Sequence, residues 1–237
     1  LAPVENSLAG SVHRSYDLLL ESSLHISGEV VIPIRHFLIG CSGSSFERIK
    51  TVESHPVALA QCERFFAAHP QFQRIATEDT AGSVASVVKQ GDRTRAAIAG
   101  LRAANLYGGV VLREHLEDHI ENYTRFVLLT SATDVSPGRG PQAGSPLGVV
   151  DANKLSLVLK LPHKGGALYH ALEPFARRGI DLVKIESRPI KGRPWEYNFY
   201  LDLQASTNDA EVIRALAELG ERAMEVRVLG CYPAAAR

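Results

Sequence analysis

The chain has 237 residues, 45% of them hydrophobic and 22% charged, and its 26 Lys and Arg balance its 26 Asp and Glu. That length allows one large domain or two small ones, and the ordinary composition excludes a long disordered polymer. Zero net charge argues against a nucleic-acid or membrane-surface binder, no apolar run reaches the ~18–20 residues that span a bilayer, and no secretory signal opens the chain.

In chain order, Ser11–Glu21 reads as a helix, and Leu24–Leu38 reads as strand with a break at Pro33. Ser54 is the expected cap of a helix with Pro56 in its first turn, where a missing N–H costs nothing. The apolar positions of that helix are Leu59, Cys62, Phe65 and Phe66. Asp79-Thr80 caps another helix, which carries Val84, Val87 and Val88. Ala96–Ala99 reads as a short buried strand, Leu101–Tyr107 as a helix stopped by Gly108-Gly109, and Thr124–Thr130 as a strand. This alternation of helix and strand predicts an open, parallel-type sheet.

Ser131–Asp151 is rich in Pro and Gly and has almost no periodicity, so it reads as a linker. It separates residues 1–130 from residues 152–237. Beyond it, Leu155, Leu157, Leu159 and Leu161 alternate as a strand with one buried face. A helix opened by Gly165-Gly166 carries Leu168, Ala171, Leu172 and Phe175; Pro174 inside it is expected to distort it, and Gly179 ends it. Ile180–Arg188 is a second strand, Pro189–Pro194 a turn, and Trp195–Leu203 a third strand. Asn208 or Asp209 caps a helix with Val212, Leu216 and Leu219, and Met224, Val226 and Val228 alternate in the last strand. The order is βαββαβ, the ferredoxin-like pattern.

General catalytic motifs are missing: there is no GxSxG elbow, Walker loop or GxGxxG. Cys41, Cys62 and Cys231 are odd in number and form no CxxC, which reads as reduced, partly buried thiols of a cytoplasmic protein. His115 and His119 stand four apart among acids, but HLEDH is not HExxH and reads as a solvated acidic segment, not a metal site. Asn122-Tyr123-Thr124 fits the glycosylation acceptor pattern by coincidence, since no secretory signal precedes it. AGSV occurs twice, at Ala9–Val12 and Ala81–Val84. Small residues at a helix N-terminus leave N–H groups open to an anion, so two such termini would hold two carboxylates; close packing is the competing reading.

Several segments carry a family resemblance. PVENSLAGSVHRSYDLLL at Pro3–Leu20 resembles the prephenate dehydratases. Ser54-His55-Pro56 with Ala58–Cys62 resembles their SHPxALAQC stretch, Asp79–Gly82 their DTAG, Ala96–Ala99 their AAIA strand, and Asn122–Phe126 their N-x-TRF signature. Past the linker, Gly166-Ala167-Leu168 and Glu186-Ser187-Arg188-Pro189 resemble the GAL and ESRP motifs of the family's regulatory ACT domain. The motifs follow the family's order and cover nearly the whole chain.

The resemblance implies an α/β fold: a two-lobed catalytic domain of the type II periplasmic-binding-protein kind at 1–130, a linker at 131–151, and a ferredoxin-like ACT domain at 152–237. It implies conversion of prephenate to phenylpyruvate, carbon dioxide and water for phenylalanine synthesis, with no metal or organic cofactor. Thr124 is the implied donor to the departing hydroxyl, and Glu5, Asn6, Ser7, Ser54 and Gln61 are the implied polar cleft residues. Arg125 would pair with a substrate carboxylate or a structural one, Phe126 would pack, and Glu78 would be a nearby supporting acid. Phenylalanine is the implied effector, bound at an interface of paired ACT domains in a homo-oligomer (a dimer or tetramer), with Gly166, Ala167, Leu168, Glu186, Ser187, Arg188 and Pro189 lining its site. Arogenate dehydratases share these motifs and remain an alternative, as does a non-catalytic phenylalanine-binding fragment. The single methionine is Met224, residue 1 is Leu, and no Gly-Pro-x-Gly-Thr stretch precedes ENS. The expectation is therefore a first domain lacking its leading portion, roughly seventy residues on the usual scale of domains.

Overall fold

The computed structural model describes residues 1–131 and 152–235; the expected linker lies, after Ser131, outside the described residues. They form two compact units. One comprises Ser7–Ala9 and Pro33–Tyr123; the other comprises Leu1–Asn6, Gly10–Ile32 and the chain from Thr124 onward.

The Pro33–Tyr123 unit is built on a five-stranded sheet. Its strands are β4 (Phe37–Gly40), β5 (Thr51–Ser54), β6 (Gln73–Ala76), β7 (Arg95–Ala99) and β8 (Val110–Arg113), in the order β6-β5-β7-β4-β8. Helices α2 (Pro56–Ala60) and α3 (Glu63–Ala68) supply the crossover from β5 to β6, and α4 (Thr80–Gln90) the one from β6 towards β7. Those three strands are parallel, as the alternation predicts. β4 departs from the expected parallel sheet: it runs antiparallel to both β7 and β8, so that β8 points the same way as the other three. Between β4 and β5 there is only one turn of 3-10 helix, Phe46–Arg48, too little for a crossover to a parallel neighbour. Both faces of the sheet are covered. Leu38, Val52, Ala96 and Ile98 meet Leu59, Cys62 and Phe66 on one side, and Ile39, Ala97 and Ala99 meet Val84, Val87 and Ala104 on the other. That is why the strands read as unbroken apolar runs.

Local chemistry corrects two details there. Ser54 is the last residue of β5, not a helix cap; His55 caps α2, its Nδ1 accepting from the Val57 N–H at 3.2 Å. The expected single helix is two, because α2 ends at Ala60 with Gln61 as its cap, and Asp118 then accepts from the Glu63 and Arg64 N–H groups that open α3. Asp79 caps α4 as expected, accepting from the Gly82 N–H at 2.5 Å. α5 (Leu101–Tyr107) ends at Gly108, left-handed at φ 72°.

The other unit stacks two four-stranded sheets. The first has β1 (Ala2–Asn6), β2 (Gly10–Ser11), β3 (His25–Pro33) and β9 (Tyr123–Thr130) in the order β2-β1-β9-β3, with α1 (His13–Glu21) between β2 and β3. The second has β10 (Lys154–Lys160), β11 (Asp181–Pro189), β12 (Tyr197–Gln204) and β13 (Glu225–Tyr232), with α6 (Ala167–Ala176) and α7 (Ala210–Arg222) as its two helices. Its chain order is the βαββαβ read from the sequence, and its strands lie in the order β11-β12-β10-β13.

Period-2 alternation decides what each face of this second sheet meets. Leu155, Leu157, Leu159, Leu201 and Leu203 bury against α6 and α7 with Phe175, Val212 and Leu219. Val158 and Tyr200, on the opposite face, bury against Val4, Tyr16, Leu19, Ile26 and Val127. Gly230 lies so close to β3 that a Cβ there would run into the Ile26 carbonyl.

Pro174 does not break α6. It removes the N–H that would reach the His170 carbonyl, and Arg222 of α7 donates to that carbonyl instead, at 2.6 Å. Trp195 lies outside the expected third strand, in the preceding turn at φ 68° and 72% exposed. The AGSV echo has no common structure: the first copy falls across β2, the second in the first turns of α4. A Cβ on Gly82 would meet the Asp79 carboxylate, so close packing accounts for that glycine. No helix among the described residues is long and apolar enough to cross a membrane.

Candidate active site

The segments around ENS and TRF, 118 residues apart in the chain, meet because β1 and β9 pair antiparallel. Ala2 faces Val127 and Pro3 faces Phe126. A bulge between Pro3 and Glu5 inserts Val4, which shifts the register so that Glu5 faces Arg125 and Asn6 faces Thr124. Without the extra residue Asn6 would stand opposite Tyr123. In this register Asn6 Nδ2 donates to Thr124 Oγ1 at 3.0 Å. The half-buried Thr124 hydroxyl is thereby an acceptor, and its own proton points away from Asn6.

Arg125 sits among three carboxylates. Its Nε is 3.3 Å from Glu5, its Nη1 3.0 Å from Glu29 and its Nη2 2.7 Å from Asp202. Of the two readings of Arg125, this geometry is the structural one. Burial works against its charge, but Asp202 and Glu29 outweigh it and hold the guanidinium firmly protonated. Glu29 also receives Lys154 Nζ at 2.9 Å and the Ala235 N–H at 3.0 Å. Burial alone would push its pKa up; the bonds from Ala235, Lys154 and Arg125 prevail and hold its carboxyl below the usual range. Asp202 accepts from Ser156 Oγ at 2.5 Å. Phe126, half-buried, faces Pro3 across the strands.

The other unit holds Ser7, Ser54, Gln61 and Glu78 of the expected site residues. Ser7 Oγ donates to the Glu121 carbonyl at 3.1 Å and accepts from the Tyr123 N–H at 3.0 Å. Ser54 is fully buried, and its hydroxyl donates to the Ile98 carbonyl at 2.6 Å. Gln61 Oε1 lies 2.9 Å from Nε2 of the buried His36. Glu78 is exposed between β6 and α4. Burial and the nearby Asp118 push the Cys62 thiol up, which suits a core residue and not a nucleophile. Asn122 is fully buried, so the N-x-T pattern offers no accessible side chain.

Gly166, Ala167 and Leu168 line a cavity of about 220 Å³ together with His163, Trp195, Tyr197 and Phe199. Glu186, Ser187, Arg188 and Pro189 do not line it. Glu186 instead accepts from Ser11 Oγ at 2.5 Å and lies 3.3 Å from His13, and Arg188 pairs with Asp17 at 3.1 Å. Ser187 and Pro189, on the strand's other face, are exposed.

Sequence reasoning missed Glu29, His36, Lys154, Lys184 and Asp202. Glu29 and Asp202 left one usable signal, a carboxylate inside an otherwise apolar strand, which must find a cation when buried.

Residues 1–134 match the family model described as prephenate dehydratase. Over 245 residues the chain is 41% identical to arogenate dehydratase/prephenate dehydratase 1, chloroplastic, of Arabidopsis thaliana, which covers 98% of this chain and 59% of that protein. It is 39% identical to the bifunctional chorismate mutase/prephenate dehydratase of Neisseria gonorrhoeae, over 99% of this chain and 62% of that one. The chain thus spans less than two thirds of the length of these curated relatives. The solved structure of prephenate dehydratase in complex with L-Phe from Arthrobacter aurescens matches with a TM-score of 0.83 at 33% identity, covering 98% of this chain and 73% of that one. Its mixed α/β architecture of several sheets is that of the prephenate dehydratase structures. The residues that seat ENS against TRF across a bulged strand pair lie inside the span the family model matches, and the chain belongs to the prephenate dehydratase family.

Proposed function

We propose that the protein is a prephenate dehydratase, a carbon–oxygen lyase, with Thr124 as donor to the leaving hydroxyl. The observation that carries this is the Asn6–Thr124 hydrogen bond at 3.0 Å, set by register. In the reaction the ring carboxylate leaves as carbon dioxide, its bonding electrons complete the aromatic ring, and the ring hydroxyl takes up a proton and leaves as water. Aromatisation supplies the driving force, so the protein's share is placement and a hydrogen bond. A threonine hydroxyl is a weak acid; Asn6 fixes the direction of its proton, and solvent restores any proton it gives up. Glu5, Ser7, Ser54 and Gln61 belong to the polar set of this reading, with Glu78 supporting and no metal or cofactor required.

The domain reading is a catalytic region at 1–130 of the two-lobed periplasmic-binding-protein kind, a linker at 131–151 and an ACT regulatory domain at 152–237. The βαββαβ order and the cavity beside Gly166–Leu168 support the last. Phenylalanine is the effector of this reading, bound where ACT domains of a homo-oligomer pair; the relative from Arthrobacter aurescens is described in complex with L-Phe. Three free thiols suit a reducing, cytoplasmic setting.

Arogenate is the second substrate to try, since the Arabidopsis relative carries both names. Full-length protein is expected to form phenylpyruvate from prephenate faster than phenylalanine from arogenate. Thr124→Ala should lower kcat about 10²–10³-fold with the fold intact by circular dichroism, and Thr124→Ser should keep most of it. Near-normal kcat in Thr124→Ala removes Thr124 from the mechanism. A wild type inactive on both substrates defeats the enzyme reading and leaves the phenylalanine-binding one.

A further inference from the structure

Two strand pairs each place a cation opposite a carboxylate, and in each a bulge sets the register. On β1 and β9, the Val4 bulge puts Glu5 opposite Arg125. On β11 and β12, Leu182 faces Leu203 and Lys184 faces Asp202, so two residues of β11 span one step of β12. Leu182 and Lys184 have the same parity, and a regular strand would point both into the core. The bulge lets Leu182 pack there and turns Lys184 to the opposite face.

The two pairs then interlock with alternating sign. Lys184 Nζ lies 3.2 Å from Glu5, Arg125 lies 2.7 Å from Asp202, and Glu5 lies 3.3 Å from Arg125. Lys184 also donates to Ser11 Oγ at 3.0 Å. The Lys184 side chain is only 15% exposed, so the cation is held largely within the protein while Glu5 keeps one side towards solvent. Glu5 is the residue before Asn6, the donor to Thr124. Any slip of the Glu5 side chain or of the bulge beneath it moves Asn6.

We infer that Lys184 is a positioning residue for the dehydratase site: through Glu5 it fixes the β1 bulge and hence the Asn6–Thr124 alignment. This rests on the proposed function. No motif pointed to Lys184, and its contacts are with Glu5 and Ser11 and not with Thr124. Its effect is on alignment, which enters kcat more than binding.

The test is a double-mutant cycle in the full-length protein. Lys184→Met should lower kcat about tenfold with KM within about twofold, and Lys184→Arg should restore most of it. In a Glu5→Gln background the same Lys184→Met change should cost less than about twofold. Single-turnover measurements with excess enzyme keep even a very slow Glu5→Gln variant readable. Equal losses in both backgrounds, or wild-type kcat in Lys184→Met, overturn the inference while the dehydratase reading stands. A wild type without turnover defeats that reading, and this inference with it.

Discussion

Glu29 shows how a buried charge is tolerated. Its side chain is 3% exposed, yet two cations and one backbone N–H meet it, and its carboxyl is held below the usual range. The unfolded chain binds a proton at Glu29 near the ordinary pH of about 4.3–4.5, while the folded chain resists it to lower pH. Its stabilisation is therefore complete above that pH and is lost as pH falls through the lowered folded value. Glu29→Gln leaves Lys154 and Arg125 with a charge fewer to face, so it should cost about 3 kcal/mol at pH 7. The gap between variant and wild type should close as urea titrations move below about pH 4. A gap independent of pH would detach Glu29 from the effect. The sequence pointed to Arg125 and left its role open between substrate and structure. What it lacked was the partners, since Glu29 and Asp202 become neighbours of Arg125 only when three distant strands meet.

At the scale of elements, period and caps were legible where one local rule decides the outcome. Asp79 caps α4, Gly108 ends α5, and the leucines of β10 bury one face, all as the spacing predicts. Misreadings arose where a second contact overrode the rule. Ser54 looked like a cap but donates across the sheet to Ile98, and Pro174, expected to distort α6, leaves it continuous while Arg222 takes the freed carbonyl. The bulges at Val4 and beside Lys184 were invisible, because a one-residue shift shows only against a partner strand. Gly230 is a comparable case. No signal in the sequence marks it, yet the Ile26 backbone fills the space a side chain would need. Backbone yields less than a flexible side chain, so Gly230→Ala should destabilise by roughly 1–3 kcal/mol, read as a lower urea midpoint. An unchanged midpoint would mean the two strands separate without cost.

At the scale of the molecule, the motifs reveal the family, and the chain is then partitioned in a way no local signal announces: it leaves one unit at Ile32 and re-enters it at Thr124. Composition and periodicity carry no record of such an excursion. The effector reading is tested at this scale too. Calorimetric titration of phenylalanine into the full-length protein should give saturable heat and a raised Tm, since a ligand that binds only the folded state stabilises it. No heat at millimolar ligand would count against regulation through the Gly166–Leu168 cavity.

The distance between β1 and β9 along the chain also orders events during synthesis. β1 and β3 both lie beside β9 in the finished sheet, so residues 1–32 leave the ribosome before the strand that joins them. The stretch from Pro33 to Tyr123 contains all five strands of its own sheet and is complete before β9 emerges. Residues 1–32 must therefore wait, with Val4, Leu19 and Ile26 uncovered, while the inserted unit forms. Such long-range closure is slow and exposed to aggregation. The strand that carries Thr124 thus joins β1 to β3, and the cover over Val4, Leu19 and Ile26 is complete only when Val158, Tyr200 and Tyr232 follow it.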